Sequence, residues 1–283
     1  MPHIAPVRPV LLHTAFLDAF ADYAMDASQT TEDGLLLRMR KNCVDYNTSP
    51  GLYDDDRLVG FTLIGIDTWG EQITAYDAGT GIIPAFRKQG WAGRMFDHAL
   101  PALHDRGVQQ FALEALKENE PAIRAYRKSG FEISRELRCF SAPTSALCEL
   151  PAGSLDIRTV SPDAATDLGE SATWLPSFEN RFTAPAAVPD HVVSYGAFAE
   201  DRCVGVVSYL PKLNWLLTLV VHPDSRRRGI GRSLLRRVAV RIPDSIRSLP
   251  VLNVDASDTG MQAFLQRCGF THLVDQVEMR RAI

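Results

Sequence analysis

Arg87, Gly90, Ala92 and Gly93 stand where a strand-like run closes on a proline, Pro84, and an amphipathic helical pattern begins. Residues of these types at this spacing could hold a phosphate. The first turn of a helix leaves its backbone N–H groups without intrahelical partners, and the helix dipole adds partial positive charge at the same place. Glycine allows a ligand close to the backbone and takes dihedrals that a Cβ forbids. Arg87, Lys88, Gln89, Gly90, Trp91, Ala92 and Gly93 are therefore read together as a pyrophosphate cradle. A single short glycine-containing turn arises readily by chance, but this one recurs 139 residues later, with Pro223 on Pro84, Arg226 on Arg87, Gly229 on Gly90 and Gly231 on Ala92. The same offset lays Cys268, Gly269 and Phe270 on Ser129, Gly130 and Phe131, so the chain holds two copies of one domain.

A strand ending at Ile82, Ile83 and Pro84, an Arg87-to-Ala92 turn opening a helix, and a later segment with Asn119, Ala122, Tyr126, Gly130 and Phe131 together resemble the GNAT superfamily of CoA-dependent N-acetyltransferases, in a tandem form. The resemblance covers most of the chain and is specific for fold and cofactor. It implies an α+β fold: two tandem GNAT acyl-CoA N-acyltransferase domains, each a mixed, mostly antiparallel sheet flanked by helices. It also implies acetyl-CoA as co-substrate, no metal, and a small-molecule or peptide amine as acceptor. By the same resemblance the main chain of Ile82 and Ile83 hydrogen-bonds the pantetheine arm. Asn119 either caps its helix or reaches the pantetheine amides. The second turn, with Val221, Arg226, Arg227, Arg228, Gly229 and Gly231, is the corresponding CoA site.

Aminolysis of a thioester needs a deprotonated amine, a donor for the oxyanion and a departing thiolate, whose intrinsic pKa of about 8.5 makes it a fair leaving group. Tyr126, placed near the CoA sulfur by resemblance, is the candidate general acid; its other role would be to pack a helix on the sheet. The base is open. The family often uses a Glu on the central strand, where this chain has Tyr76 with Asp77 beside it. Alternation turns Asp77 away from Tyr76 unless a bulge in residues 79–81 resets the register. Glu114 on the neighbouring strand is a second candidate, and a water chain or an already neutral amine completes the options. In the second copy Leu265 replaces Tyr126, Asp258 replaces Asn119 and Leu216 replaces Asp77, which assigns catalysis to the first copy and leaves a degenerate second one able to hold CoA. The alternative for the whole chain is a non-catalytic CoA-binding or sensing protein.

The elements that must position these groups follow from periodicity. A strand near residues 4–7 precedes a helix over 14–25 with Leu17, Phe20, Ala21 and Ala24 on one face, then a helix over 31–41 capped by Thr30 or Thr31. By resemblance this pair roofs the acceptor pocket, making Tyr23, Tyr46, Asn47 and Thr48 candidate contacts. A hairpin over 52–53 and 58–66 turns at Asp54, Asp55 and Asp56, which read as solvated turn residues since no calcium-loop pattern follows. Strand 72–84, helix 92–104, strand 110–116, helix 120–128 and strand 132–140 complete the first copy. The expected division is 1–142, a linker over 143–153, and 154–283. The second copy repeats the plan with a helical region over 162–175 and strands over 194–198, 203–209 and 215–221. Arg232, Arg236, Arg237 and Arg241 on its phosphate-turn helix form a solvated face, a site for the 3′-phosphate of CoA or a contact with an acidic partner.

At 283 residues the chain suits two domains, and a net charge of −4 gives no bulk attraction to nucleic acid or anionic membranes. Five cysteines without a CxxC pair point to a reducing, cytoplasmic compartment. The start lacks a signal-peptide pattern and no run is long enough to span a bilayer. Oligomeric state and acceptor identity are not encoded in any pattern found.

Overall fold

The computed structural model describes residues 1–22 and 27–283. In chain order the first elements are β1 (His3–Pro6), α1 (Pro9–Phe20), α2 (Glu32–Lys41), β2 (Pro50–Asp54), β3 (Arg57–Trp69), β4 (Gln72–Ile82), α3 (Trp91–Asp105), β5 (Gln110–Leu116), α4 (Glu120–Lys128) and β6 (Glu132–Pro143). They are followed by α5 (Thr144–Cys148), β7 (Asp156–Thr159), α6 (Ala164–Gly169), β8 (Val193–Ala199), β9 (Arg202–Leu210), β10 (Trp215–Val221), α7 (Ile230–Ala239), β11 (Ser248–Asp255), α8 (Thr259–Arg267) and β12 (Thr271–Ala282). Two compact units result, residues 1–134 with 277–283, and residues 135–276.

That division differs from a cut after residue 142. The last residues of the chain belong to the first unit because Val277 and Met279 are buried in its core with Phe111, Leu113 and Phe131. Arg281 fixes them there by donating to Ser129 O at 2.7 Å. Most of β6 belongs to the second unit, where its residues from Leu137 to Pro143 pair antiparallel with β11. The segment 143–153, read as a linker, contains α5, whose Leu147 is fully buried against the second unit's core.

In the first unit the strand order is β1-β2-β3-β4-β5-β12. β1 to β4 pair antiparallel, and β4 with β5 parallel. The hairpin turns at Asp55 and Asp56 between the paired Asp54 and Arg57, with Asp55 in the left-handed region at φ 51°. α1 begins at Pro9, earlier than periodicity suggested, because proline suits the first helical position. It ends at Phe20, and the far end of the expected helix, with Tyr23, lies outside the described residues. Thr31 caps α2 by accepting from Gly34 N at 3.1 Å; Glu32 and Asp33 at its start and Arg38, Arg40 and Lys41 at its end suit the helix dipole. α3 buries Met95, Phe96, Ala99 and Leu103, the stripe that fastens the cradle helix to the sheet.

In the second unit β10-β9-β8-β7 form an antiparallel sheet and β11 pairs with β6. α6 is shorter than the expected 162–175 because it stops at Gly169, where a Cβ would come 2.5 Å from the Phe182 ring. Among the described residues no helix is long and apolar enough to cross a membrane, and no cluster of three or more His, Cys, Asp or Glu could hold a metal ion. All five cysteines carry free thiols.

Candidate active site

β4 and β5 are in parallel register only from Thr74 with Gln110 to Tyr76 with Ala112. Beyond that point β4 runs on to Ile82 along β3, and β5 runs on to Leu116, so a wedge opens between them. Asp77 is the first β4 residue past the last pair. A bulge sits next to it: Ile64 faces Asp77 and Leu63 faces Gly79, leaving Ala78 without an opposite residue. The register reset considered for 79–81 thus occurs, one residue earlier. A Cβ on Gly79 would meet nothing within 4 Å, so the backbone beside the bulge is open to an incoming group.

Asp77 is 6% exposed, and burial pushes its carboxyl up to about 6. Thr80 Oγ1 at 2.8 Å from Oδ2, Gly79 N–H at 3.0 Å from Oδ1, the Arg38 charge and the Tyr126 phenol each pull the other way, toward the carboxylate. Thr62 Oγ1 lies 3.0 Å from Thr80 Oγ1 and extends this hydroxyl chain. Tyr126, on α4, is held through its ring by Phe96 and Phe131, each with centroids at 6.0 Å. Its two candidate roles are therefore compatible: the ring packs while the hydroxyl reaches Asp77. Glu114 belongs to a separate contact, accepting from the buried Tyr76 hydroxyl.

The cradle is built differently from its side-chain pattern. Arg87 does not project freely: Nε donates to Ile82 O at 2.9 Å and Nη2 to Ala19 O at 2.9 Å. The same guanidinium forks onto Asp22 at 2.6 and 2.7 Å, holding that carboxyl below its ordinary range through hydrogen bonding. Its backbone N–H is bound to Pro84 O. Arg87 thus ties the end of α1 to the end of β4. What faces outward is the start of α3, where Gly90, at φ 78°, is the N-cap residue and no side chain caps the helix. The amide donors there are those of the first turn, Gly90 to Gly93. Lys88 and Gln89 are exposed beside it, with Lys88 also left-handed at φ 61°.

Ile82 and Ile83 offer less free main chain than expected. Ile83 N–H donates to Val59 O, and its carbonyl accepts from Phe86 N at the 3-10 turn Pro84–Phe86. Asn119 caps α4, accepting from Ala122 N at 3.2 Å. Thr48 Oγ1 and Asn47 N bind Asp45, so both stabilise a turn. Sequence reasoning missed Thr80, Thr62 and Arg38. Thr80 had a signal, a hydroxyl three residues after a strand carboxylate, visible only once the bulge is known.

The sequence matches the profile of the acetyltransferase (GNAT) family over residues 12–131 and again over 160–270. The chain belongs to the GNAT acetyltransferase family. It is similar to streptothricin acetyltransferase of Streptomyces lavendulae, 31% identical over 87 residues that make up 31% of this chain and 45% of that protein. N-alpha-acetyltransferase 30 of Schizosaccharomyces pombe is 32% identical over 79 residues, 28% of this chain and 53% of that one. The chain thus spans about half the length of these curated relatives. Among solved structures, the tandem GNAT protein from the clavulanic acid biosynthesis pathway shares the fold with a TM-score of 0.71 at 14% identity, over 100% of this chain and 98% of that one. A GCN5-related N-acetyltransferase from Sphaerobacter thermophilus does so with a TM-score of 0.68 at 17% identity, covering 99% and 95%.

Seen as a GNAT repeat, the second unit keeps the backbone and changes the side chains. Gly229, at φ 80°, opens α7 without a side-chain cap, and Arg226 Nε binds Val221 O at 3.1 Å as Arg87 binds Ile82 O. Arg226 then lies over the Trp174 ring instead of gripping a carboxylate, while Arg227 and Arg228 are exposed. Arg236 and Arg237 are spent within the unit, on Cys148 O and the Tyr195 ring. Asp258 caps α8 at 2.8 Å, as Asn119 caps α4. The bulge recurs at Leu217, but Leu216 and Leu265 are buried members of one apolar core.

Proposed function

We propose that the protein is an acetyl-CoA-dependent N-acetyltransferase whose first unit carries the reaction. The observation on which this reading rests is the meeting of Asp77 and Tyr126 at the wedge between β4 and β5. The residues present fit the co-substrate: α3 begins uncapped at a left-handed glycine with open space around it, which suits a pyrophosphate. Acetyl-CoA supplies the acetyl group and a thiolate leaving group. Gly90 to Gly93 bind its diphosphate through backbone amides, and Asn119 keeps α4 in register so that Tyr126 stays over the wedge.

Asp77 serves as base, taking a proton from the acceptor amine. With a pKa near 6 it is mostly ionised at neutral pH yet basic enough to accept that proton. Thr80 and the Gly79 amide hold the carboxylate in place. Tyr126 gives its proton to the departing sulfur and recovers one from Asp77 through their contact, so the amine's proton ends on the thiol and the site returns to its starting state. Glu114 holds the Tyr76 hydroxyl, apart from this pair. The acceptor is a primary amine of a small molecule or peptide, and the free thiols suit a reducing, cytoplasmic setting. The test is thiol release from acetyl-CoA across a panel of amines. Amine-dependent release that falls in Asp77→Asn and Tyr126→Phe supports the reading; acetyl-CoA binding with no release for any amine would make the chain a CoA sensor instead.

A further inference from the structure

In the second unit, the strands that correspond to β4 and β5 are β10 and β11, and they lie in different hydrogen-bonded sheets. No backbone pairing closes the gap between them. It is filled by the chain itself. A 3-10 turn, Phe178–Asn180, packs against both strands. Asn180 Nδ2 donates to Leu252 O of β11 at 2.7 Å, where the pairing of β11 with β6 is interrupted. Arg135 secures the approach, with Nη1 at 2.8 Å from Leu175 O and Nη2 at 3.2 Å from Pro176 O, while Nη1 also meets Asp255 Oδ2 at 3.1 Å. Ser177, Phe178, Glu179 and Arg181 are 1, 0, 4 and 2% exposed. Arg181 folds over the Phe178 ring, 4.5 Å from its centroid.

This depth is not that of a surface loop. Two charged side chains lie inside a protein only where the surrounding structure fixes them. In the first unit α2 ends at Lys41 and the chain then follows β3, with Asp45 N donating to Ile64 O and Ile66 N to Cys43 O. The wedge beside β4 holds Asp77 with Thr80 and Tyr126, and the Arg38 charge acts on the same carboxyl.

We infer that residues 177–181 are a built-in occupant of the second unit's thioester slot, so that the chain takes up one acyl-CoA, in its first unit. The inference rests on the acetyl-CoA reading proposed above. Equilibrium dialysis of the intact protein with radiolabelled acetyl-CoA counts the sites, using the wild type, Gly93→Glu and Arg228→Glu. A Cβ at Gly93 would meet only Ser129 Oγ, at 3.6 Å, so a side chain fits there, and Arg228 is exposed. One site per chain is expected, weakened about tenfold or more by Gly93→Glu and unchanged by Arg228→Glu. Two sites overturn the inference. A single site lost with Arg228→Glu and kept with Gly93→Glu overturns both it and the proposed function.

Hydrogen exchange on the ligand-free protein is a second readout that does not depend on acetyl-CoA binding. The amides of Asn180 and Arg181, bonded to Ser177 O and Phe178 O, are expected to exchange only with unfolding of the unit. Exchange at the rate of an open loop overturns the inference even if dialysis counts one site. Slow exchange with no acetyl-CoA bound at all sustains the filled slot and overturns the proposed function alone.

Discussion

Replacing Asp77 with asparagine removes the one carboxyl that burial holds out of its ordinary range at the wedge, and the effect on stability can be worked out. Raising its pKa from 3.8 to about 6 in the native state corresponds to about 3 kcal/mol. The sign follows from proton counts. Between about pH 4 and pH 6 the native carboxyl keeps a proton that the unfolded chain has lost, so stability falls as pH rises through that window. Below it the loss is absent, and above it the loss is complete. Asp77→Asn carries no such group, and any change in its hydrogen bonds to Thr80 and Gly79 adds an offset that does not vary with pH. Urea unfolding from pH 4 to pH 8, read on the transition of the first unit, should show the variant gaining about 3 kcal/mol on the wild type across the window. In the wild type kcat/KM should rise through about pH 6, and the variant should lack that limb. Parallel stability curves at all pH values would mean that Asp77 titrates normally, and its role as a poised base would be refuted.

Tyr126→Phe should lower kcat by about 10²-fold or more with little change in the KM for acetyl-CoA, since the ring keeps its packing on Phe96 and Phe131. Because the phenol favours the ionised form of Asp77, its loss should also move the kcat/KM limb to higher pH; a fixed limb would separate the two residues. Met279→Ala, although late in the chain, should destabilise the first unit by about 2–5 kcal/mol, and hydrogen exchange should quicken in β5 and α4 before β8 and β9. The opposite order would contradict the assignment of the last strand. Gly65→Ala should cost about 3 kcal/mol or more in urea unfolding, because the new Cβ would fall 1.9 Å from Asn42 O, a backbone atom that cannot swing aside. An unchanged midpoint would show that the α2–β3 junction yields.

Local signals carried far. β5, α4 and β10 span the residues that periodicity predicted, Thr31 and Asn119 cap their helices, and both repeated glycine turns open helices at left-handed glycines. What escaped was set by partners distant in the chain. Nothing near Arg87 announces that its guanidinium is spent on Asp22, 65 residues earlier. The assignment of Val277 and Met279 to the first unit depends on which core takes them, and their strand pattern suits either. The bulge at Ala78 was hinted at by the glycines at 79 and 81, which do not fix its position. It had to be seen before Thr80 could be recognised as Asp77's partner.

The recurrence of that bulge at Leu217 separates what the fold supplies from what the chemistry needs. Both units break the register at the same point of the central strand, so the break belongs to the inherited backbone and does not by itself make a base. In the first unit it presents Asp77 to a hydroxyl at Thr80 and a phenol at Tyr126. In the second the three corresponding positions are Leu216, Leu219 and Leu265, an apolar set packed into one core. A carboxylate set among them would lack the hydroxyl and phenol donors that favour the ionised form of Asp77, and burial would push its pKa up. The proposed acid–base pair would thus be a property of three side chains acting together on a shared backbone, and the second unit lacks all three.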